Sequence, residues 1–134
     1  MTLRIVADEN IPNIREALAS LGAEVVLRAG RSLSPADIRD ADALMVRSVT
    51  RVDRALLDGS RVRFVATATI GIDHLDTEYL DQRGIVWTSA AGSNANSVVE
   101  YVLASILEVA TRRGDSIAGK ALGIVGCGNI GARL

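Results

Sequence analysis

The residues from Ala121 to Gly131 read Ala-Leu-Gly-Ile-Val-Gly-Cys-Gly-Asn-Ile-Gly, which sets Gly126, Gly128 and Gly131 at G-x-G-x-x-G spacing behind a short apolar run. That spacing suits a buried strand turning tightly into a helix. The first glycine permits the turn, the second lets a pyrophosphate approach the backbone, and the third lets strand and helix pack closely. The unpaired N–H groups at the helix start then favour phosphate. Asn129 and Ile130 stand between the last two glycines. The motif alone is weak, but an expected strand before it and an expected helix after it are the context it needs. The acidic residue that would hold the ribose, about 20 residues further on, lies past Leu134, so these residues do not decide between NAD and NADP.

A second group could hold a small anion. Arg47, Ser48 and Arg51 follow an apolar run, and two guanidiniums with a hydroxyl suit a phosphate or carboxylate. The alternative is a pair of solvated surface charges. Thr67-Ala68-Thr69-Ile70-Gly71 offers a hydroxyl and successive N–H groups beside a glycine, either a nest for a carboxylate or a plain strand-to-helix turn. Asp8, Glu9 and Asn10 place two acids and an amide at one sheet edge, where they could touch a substrate hydroxyl, though helix capping by Asn10 is the simpler account. His74, the single histidine, sits between Asp73 and Asp76 at the start of a helix. A capping or packing role is favoured there over contact with a ligand. One histidine and one cysteine, Cys127, far apart in the chain, make no zinc site. Cys127 fills a small position in the glycine loop, and Trp87 reads as core.

The elements that must position these groups alternate along the chain. Apolar runs at Leu3 to Ala7, Glu24 to Leu27, Ala43 to Val46, Val62 to Ala66 and Ile85 to Thr88 predict five strands. Between them, Asn10 with Pro12 opens a helix that runs to Gly22, Ser34-Pro35 starts one through Ile38, Asp53 one through Leu57, and Asp76 one through Arg83. Strands in strict alternation with helices predict an α/β fold with a doubly wound, flavodoxin-like parallel sheet. Ligands of such sheets collect beyond the carboxyl ends of the strands, where Asp8, Arg47, Ser48 and Thr69 all fall. The longest helix is expected from Ala95 to Arg113 and is apolar nearly all round, so it needs cover on both sides. We divide the chain into a domain of residues 1–94 and a second part, 95–134, holding this inter-domain helix and the first strand-turn of a Rossmann domain.

Composition bounds the function. At 134 residues with 49% hydrophobic and 23% charged side chains, the chain reads as globular and ordered. A net charge of −1 provides no broad basic field for nucleic acid or an anionic membrane. A lone cysteine and the lack of a basic-then-apolar leader point to the cytoplasm. The stretch from Val98 to Val109 is too short for a bilayer and carries Glu100 and Glu108.

Taken together, these stretches resemble the D-isomer-specific 2-hydroxyacid dehydrogenases. Ala7-Asp8-Glu9-Asn10-Ile11-Pro12, the run from Ala41 to Thr50, the run from Phe64 to Asp76, Asn94-Ala95 with Val98 to Val102, and the glycine loop carry the resemblance, which covers the whole chain. It implies the N-terminal part of an NAD-dependent oxidoreductase that takes a hydride from C2 of a small phosphorylated hydroxy acid and leaves a 2-oxo acid. By the same resemblance Ser48 and Thr69 would bind substrate, Arg47 and Arg51 would take its phosphate, and backbone at Ile70 and Gly71 would lie against the carboxylate and the nicotinamide end. A cytoplasmic homodimer is implied for the parent protein. The family's catalytic arginine, glutamate and histidine normally follow the glycine loop and are not among these residues, so the 134 residues alone are expected to be inactive. His74 does not take that histidine's place. The alternative is a non-catalytic, dinucleotide-sensing or interaction module of the same fold. A phosphoacceptor version would need an aspartate where Val46-Arg47-Ser48 stands.

Overall fold

The computed structural model describes residues 2–134. Contacts divide the chain into two compact units, the first ending at Ala90 and the second running from Ala91 to Leu134.

The first unit is a five-stranded parallel sheet built from β1 (Arg4–Asp8), β2 (Glu24–Arg28), β3 (Ala43–Val46), β4 (Phe64–Thr67) and β5 (Val86–Ser89). The order is β2-β1-β3-β4-β5. The switch in winding direction falls between β1 and β3, as in flavodoxin-like sheets. Successive residues of a strand point to opposite faces, which sorts the core into two clusters. Val6, Leu44, Val46 and Val65 bury against Ile38, Leu57, Tyr79 and Leu80. Those partners come from α2 (Pro35–Ile38), α3 (Arg54–Leu57) and α4 (Thr77–Gln82). On the other face Ile5, Ala7 and Ala43 pack against Ile14 and Leu18 of α1 (Ile14–Leu18).

The short helices are secured by local polar contacts. Asp37 accepts from both the N–H and the hydroxyl of Ser34, which fixes the start of α2. Asp53 accepts from the Leu56 N–H and Asp76 from the Tyr79 N–H, in the manner of helix N-caps.

Three sequence expectations change. The strands β1, β4 and β5 begin one or two residues later than the apolar runs do. Pairing sets the start: Phe64 is held opposite Ala43, and Val86 opposite Phe64. Val62 and Ile85 are still buried, but they lie ahead of the ladder. Next, Asn10 does not cap a helix. Its backbone N–H and its amide both donate to Oδ1 of Asp8. The helix starts only at Ile14, behind Asn13, whose φ of 53° is a conformation asparagine tolerates better than most residues.

The third change concerns the second unit. Its α5 (Ala95–Arg113) matches the expected bounds. The run Ala121 to Val125, however, forms no strand among the described residues. Backbone groups of a strand need partners, and every described strand pairs within the five-stranded sheet. Leu122, Ile124 and Val125 consequently stay exposed, and the expected helix after the loop amounts to a single turn, closed by the Ala132 N–H on the Gly128 carbonyl.

Candidate functional site

Within the first unit a cleft of about 520 Å³ opens past the carboxyl ends of β3 and β4, lined by Ser48, Arg51, Thr69, Gly71, Asp73 and His74. Two connecting segments build it. After β3 the chain turns at once, with the Thr50 N–H on the Arg47 carbonyl. After β4 a second turn places the Leu75 N–H on the Ile72 carbonyl. A short bridge then ties the segments together: Val52 donates to the His74 carbonyl and Asp76 to the Val52 carbonyl, each at 2.8 Å. Arg51 and His74, distant in sequence, are thereby held at one opening.

The cleft's polar groups are ordered. Nε2 of His74 lies 2.8 Å from the hydroxyl of Thr67, which lies 2.8 Å from the hydroxyl of Thr69. The Thr69 hydroxyl in turn reaches the Gly71 carbonyl at 3.3 Å. Burial pushes the His74 imidazole below its ordinary pKa, against the opposing pull of Asp73. Arg51 donates through Nε to Asp53 at 3.1 Å while its side chain remains 71% exposed, so its terminal nitrogens face water.

Arg47 stands apart from these residues. Its Nε donates to Oδ2 of Asp8 at 2.9 Å, and the Asp8 side chain is 1% exposed. Burial raises the Asp8 carboxyl, but hydrogen bonds from the Asn10 backbone and from Arg47 outweigh it and hold it below the usual carboxylate range. Gly30 lies against this carboxylate, since a Cβ there would collide with Asp8 Oδ2 and come within 2.8 Å of the Thr50 hydroxyl. The Thr50 hydroxyl itself donates to the Gly30 carbonyl.

The structure therefore brings Ser48, Arg51, Thr69 and Gly71 together, pairs Arg47 with Asp8 outside the cleft lining, and leaves Ile70 exposed and likewise outside it. His74 both packs and lines the cleft. Sequence reasoning missed Asp73 as a lining residue and Thr67 as the link to His74. Thr67 carried only the signal of a threonine directly after an apolar run; that it ends β4 at 3% exposure, and so requires a partner for its hydroxyl, is what the structure adds.

In the second unit the glycines of the loop differ in their surroundings. Gly126 has φ of 95°, which only glycine adopts readily. A Cβ on Gly131 would strike the Gly126 carbonyl, whereas one on Gly128 would meet open space. Asn129 packs its side chain 3.1–3.3 Å from where a Cβ of Gly92 would stand. Tight turn, open approach and close packing are three features of a pyrophosphate loop, whereas the strand before it and a full helix behind it are not formed among the described residues. Cys127 is free and exposed. A separate hollow of about 410 Å³ runs along α5, with Ile106, Val109 and Ile117 beside Ser105, Ser116, Arg113 and Lys120 in its wall. Among the described residues no cluster could hold a metal and no helix is long and apolar enough to cross a membrane.

The five-stranded parallel sheet with helices between its strands defines an α/β protein. A family model, the catalytic domain of D-isomer specific 2-hydroxyacid dehydrogenases, matches residues 5–126, and the chain belongs to this family. It is 55% identical over 132 residues to an erythronate-4-phosphate dehydrogenase of Ectopseudomonas mendocina (strain ymp), covering 98% of this chain and 35% of that protein. It is 54% identical over 132 residues to the same enzyme of Azotobacter vinelandii, covering 98% and 34%. The chain thus spans about a third of the length of these curated relatives. Among solved structures, the NAD+-bound 3-phosphoglycerate dehydrogenase of Entamoeba histolytica superposes with a TM-score of 0.68 at 28% identity, over 99% of this chain and 49% of that one.

Proposed function

We propose that this chain forms the substrate-binding, N-terminal third of an NAD-dependent dehydrogenase that oxidises 4-phospho-D-erythronate to its 2-oxo acid in pyridoxal phosphate biosynthesis. The observation that carries the reading is the cleft in which Ser48, Arg51 and Thr69 converge at the carboxyl edge of the sheet. The similarity to erythronate-4-phosphate dehydrogenases over 98% of the chain supports the choice of substrate.

In this reading the exposed guanidinium of Arg51 and the hydroxyl of Ser48 take the phosphate, and backbone N–H groups at Ile70 and Gly71 take the carboxylate. Arg47, with its Nε on Asp8, lies outside the cleft lining and leaves the phosphate to Arg51. Gly126, Gly128, Asn129, Ile130 and Gly131 hold the pyrophosphate of NAD, and the nicotinamide, when bound, supplies the hydride acceptor. The 134 residues alone do not turn over, because the family's arginine, glutamate and histidine are not among them. The parent protein is a cytoplasmic homodimer in this reading, and exposed Tyr101, Leu103, Leu107 and Val109 on α5 supply apolar surface for assembly.

The test is a direct assay of NADH formation from 4-phospho-D-erythronate by a protein carrying this chain at the length of its relatives. Ser48→Ala and Arg51→Ala are expected to raise KM about tenfold or more each, since each removes a hydrogen bond to a charged group. Unchanged kinetics in both variants would remove the cleft from the substrate site, and dinucleotide binding without turnover would favour the sensing module.

A further inference from the structure

We propose that His74 is a positioning residue which, through Thr67, sets the Thr69 hydroxyl as a hydrogen-bond acceptor and so makes this end of the cleft select a ligand hydroxyl over a phosphate or carboxylate. The proposal rests on the substrate reading above and deepens it by assigning which part of a hydroxy acid each wall receives.

The argument follows the protons. Three groups stand in series at 2.8 Å, His74 Nε2 to Thr67 to Thr69, and the Thr69 hydroxyl ends at the Gly71 carbonyl 3.3 Å away. Each hydroxyl has one proton to donate. If Nε2 carries the imidazole proton, it donates to Thr67, Thr67 to Thr69, and Thr69 to the Gly71 carbonyl. If Nε2 is bare, it accepts from Thr67, which accepts from Thr69. In either sense the Thr69 proton is used inside the protein. What remains for a ligand is a lone pair.

A lone pair repels a carboxylate or phosphate oxygen and accepts from an alcohol. Asp73, which lines the same cleft, adds a second acceptor-only group. Among the lining side chains, Arg51 and Ser48 can donate to an anion, and the backbone N–H of Gly71 is left for the carboxylate. The cleft is therefore polarised, with its anion-binding side at Arg51 and a hydroxyl-reading side at Thr69. Burial lowers the basicity of His74 and keeps the imidazole neutral, which is the state the series needs to run in either direction.

Thr67 is 3% exposed, so nothing outside the protein competes for its hydroxyl. Removing the imidazole would leave that hydroxyl short of a partner and free the Thr69 proton to point into the cleft. His74→Gln places an amide near the position of Nε2 and can both donate and accept, so it should preserve the arrangement; His74→Phe cannot.

The test compares two probes by titration into the chain, 4-phospho-D-erythronate and 4-phosphooxybutanoate, which lacks both free hydroxyls. The unmodified chain and His74→Gln are expected to prefer the first by about tenfold, the worth of one neutral hydrogen bond lost with a partner left unpaired. His74→Phe and Thr67→Val should lose most of that preference while binding inorganic phosphate as before. Equal preference in all four proteins would overturn the proposal. A second readout is independent of ligand. Because His74 is the single histidine, nitrogen NMR of its imidazole reads the Nε2 contact with Thr67 directly, and the Nε2 shift should move in Thr67→Val. An Nε2 shift unchanged in Thr67→Val would refute the series. If neither probe binds while the Nε2 shift moves, the substrate reading falls and the positioning of Thr69 stands.

Discussion

Replacing Asp8 by alanine should destabilise the first unit by about 2–3 kcal/mol. The carboxylate side chain is 1% exposed and accepts from Arg47 Nε, the Asn10 backbone and the Asn10 amide. Breaking a buried ion pair typically costs about 3–5 kcal/mol, because the surviving charge is left without compensation. Here the survivor, Arg47, has a side chain 32% exposed, and Asn10 is exposed as well, so water recovers part of the loss. That places the cost below the buried-pair range and above the roughly 1 kcal/mol of a single exchanged hydrogen bond. The assay is urea denaturation followed by the fluorescence of Trp87, the single tryptophan, which is half-buried and donates to Asp81. With a slope of about 1.5 kcal/mol/M, the midpoint should fall by roughly 1.3–2 M at constant slope. Arg47→Met should cost less, and the double variant should show a coupling of about 1–2 kcal/mol. A loss under about 0.5 kcal/mol for Asp8→Ala, or a coupling near zero, would mean that the pair does not stabilise the first unit.

Gly30→Ala should lower stability by about 1–3 kcal/mol, because the new methyl meets Asp8 and Thr50 rather than solvent. Gly128→Ala, which meets open space, should leave thermal stability within about 0.5 kcal/mol; thermal melts of the two variants check both expectations. Stability should also fall on the acid side in two stages. His74 has a lowered pKa in the folded chain, so its contribution is complete above its unfolded value of about 6.5 and is lost as pH falls from there toward the folded value. Asp8 and Asp37 are likewise lowered, Asp37 by the Ser34 hydroxyl and N–H and by Arg28. Their contribution is complete above about 3.9 and disappears below it as the folded values are passed. Melting temperature against pH should show both declines, and His74→Gln should abolish the first and leave the second.

Much of the fold was legible because parallel strands covered on both faces need continuous apolar runs, and the runs at Glu24 to Leu27 and Ala43 to Val46 have no other use. The bounds of α5 were equally clear, from the small residues before Ala95 to the arginines and Gly114 at its end. Candidate anion groups could be named because ligands of such sheets gather at known strand ends. Period and propensity do not say which strand a residue will meet, so β1, β4 and β5 started where their neighbours allowed. The same limit governed Ala121 to Val125, whose apolar character predicts a strand that needs a partner to exist.

The sequence by itself determined the class of the fold, the family, and the residue types at the end of each strand, because these depend on pattern and local chemistry. Tertiary structure decided how those residues divide. Arg47 and Arg51 look alike in the chain, yet one is bound to a buried carboxylate and the other faces the cleft. Asn10 looks like a cap and serves Asp8 instead. His74 looks like a packing residue, and only the bridge between Val52 and Leu75 brings it onto Thr67 and into the cleft with Thr69. Each outcome depends on distance in space between segments far apart in the chain, which spacing along the chain does not encode.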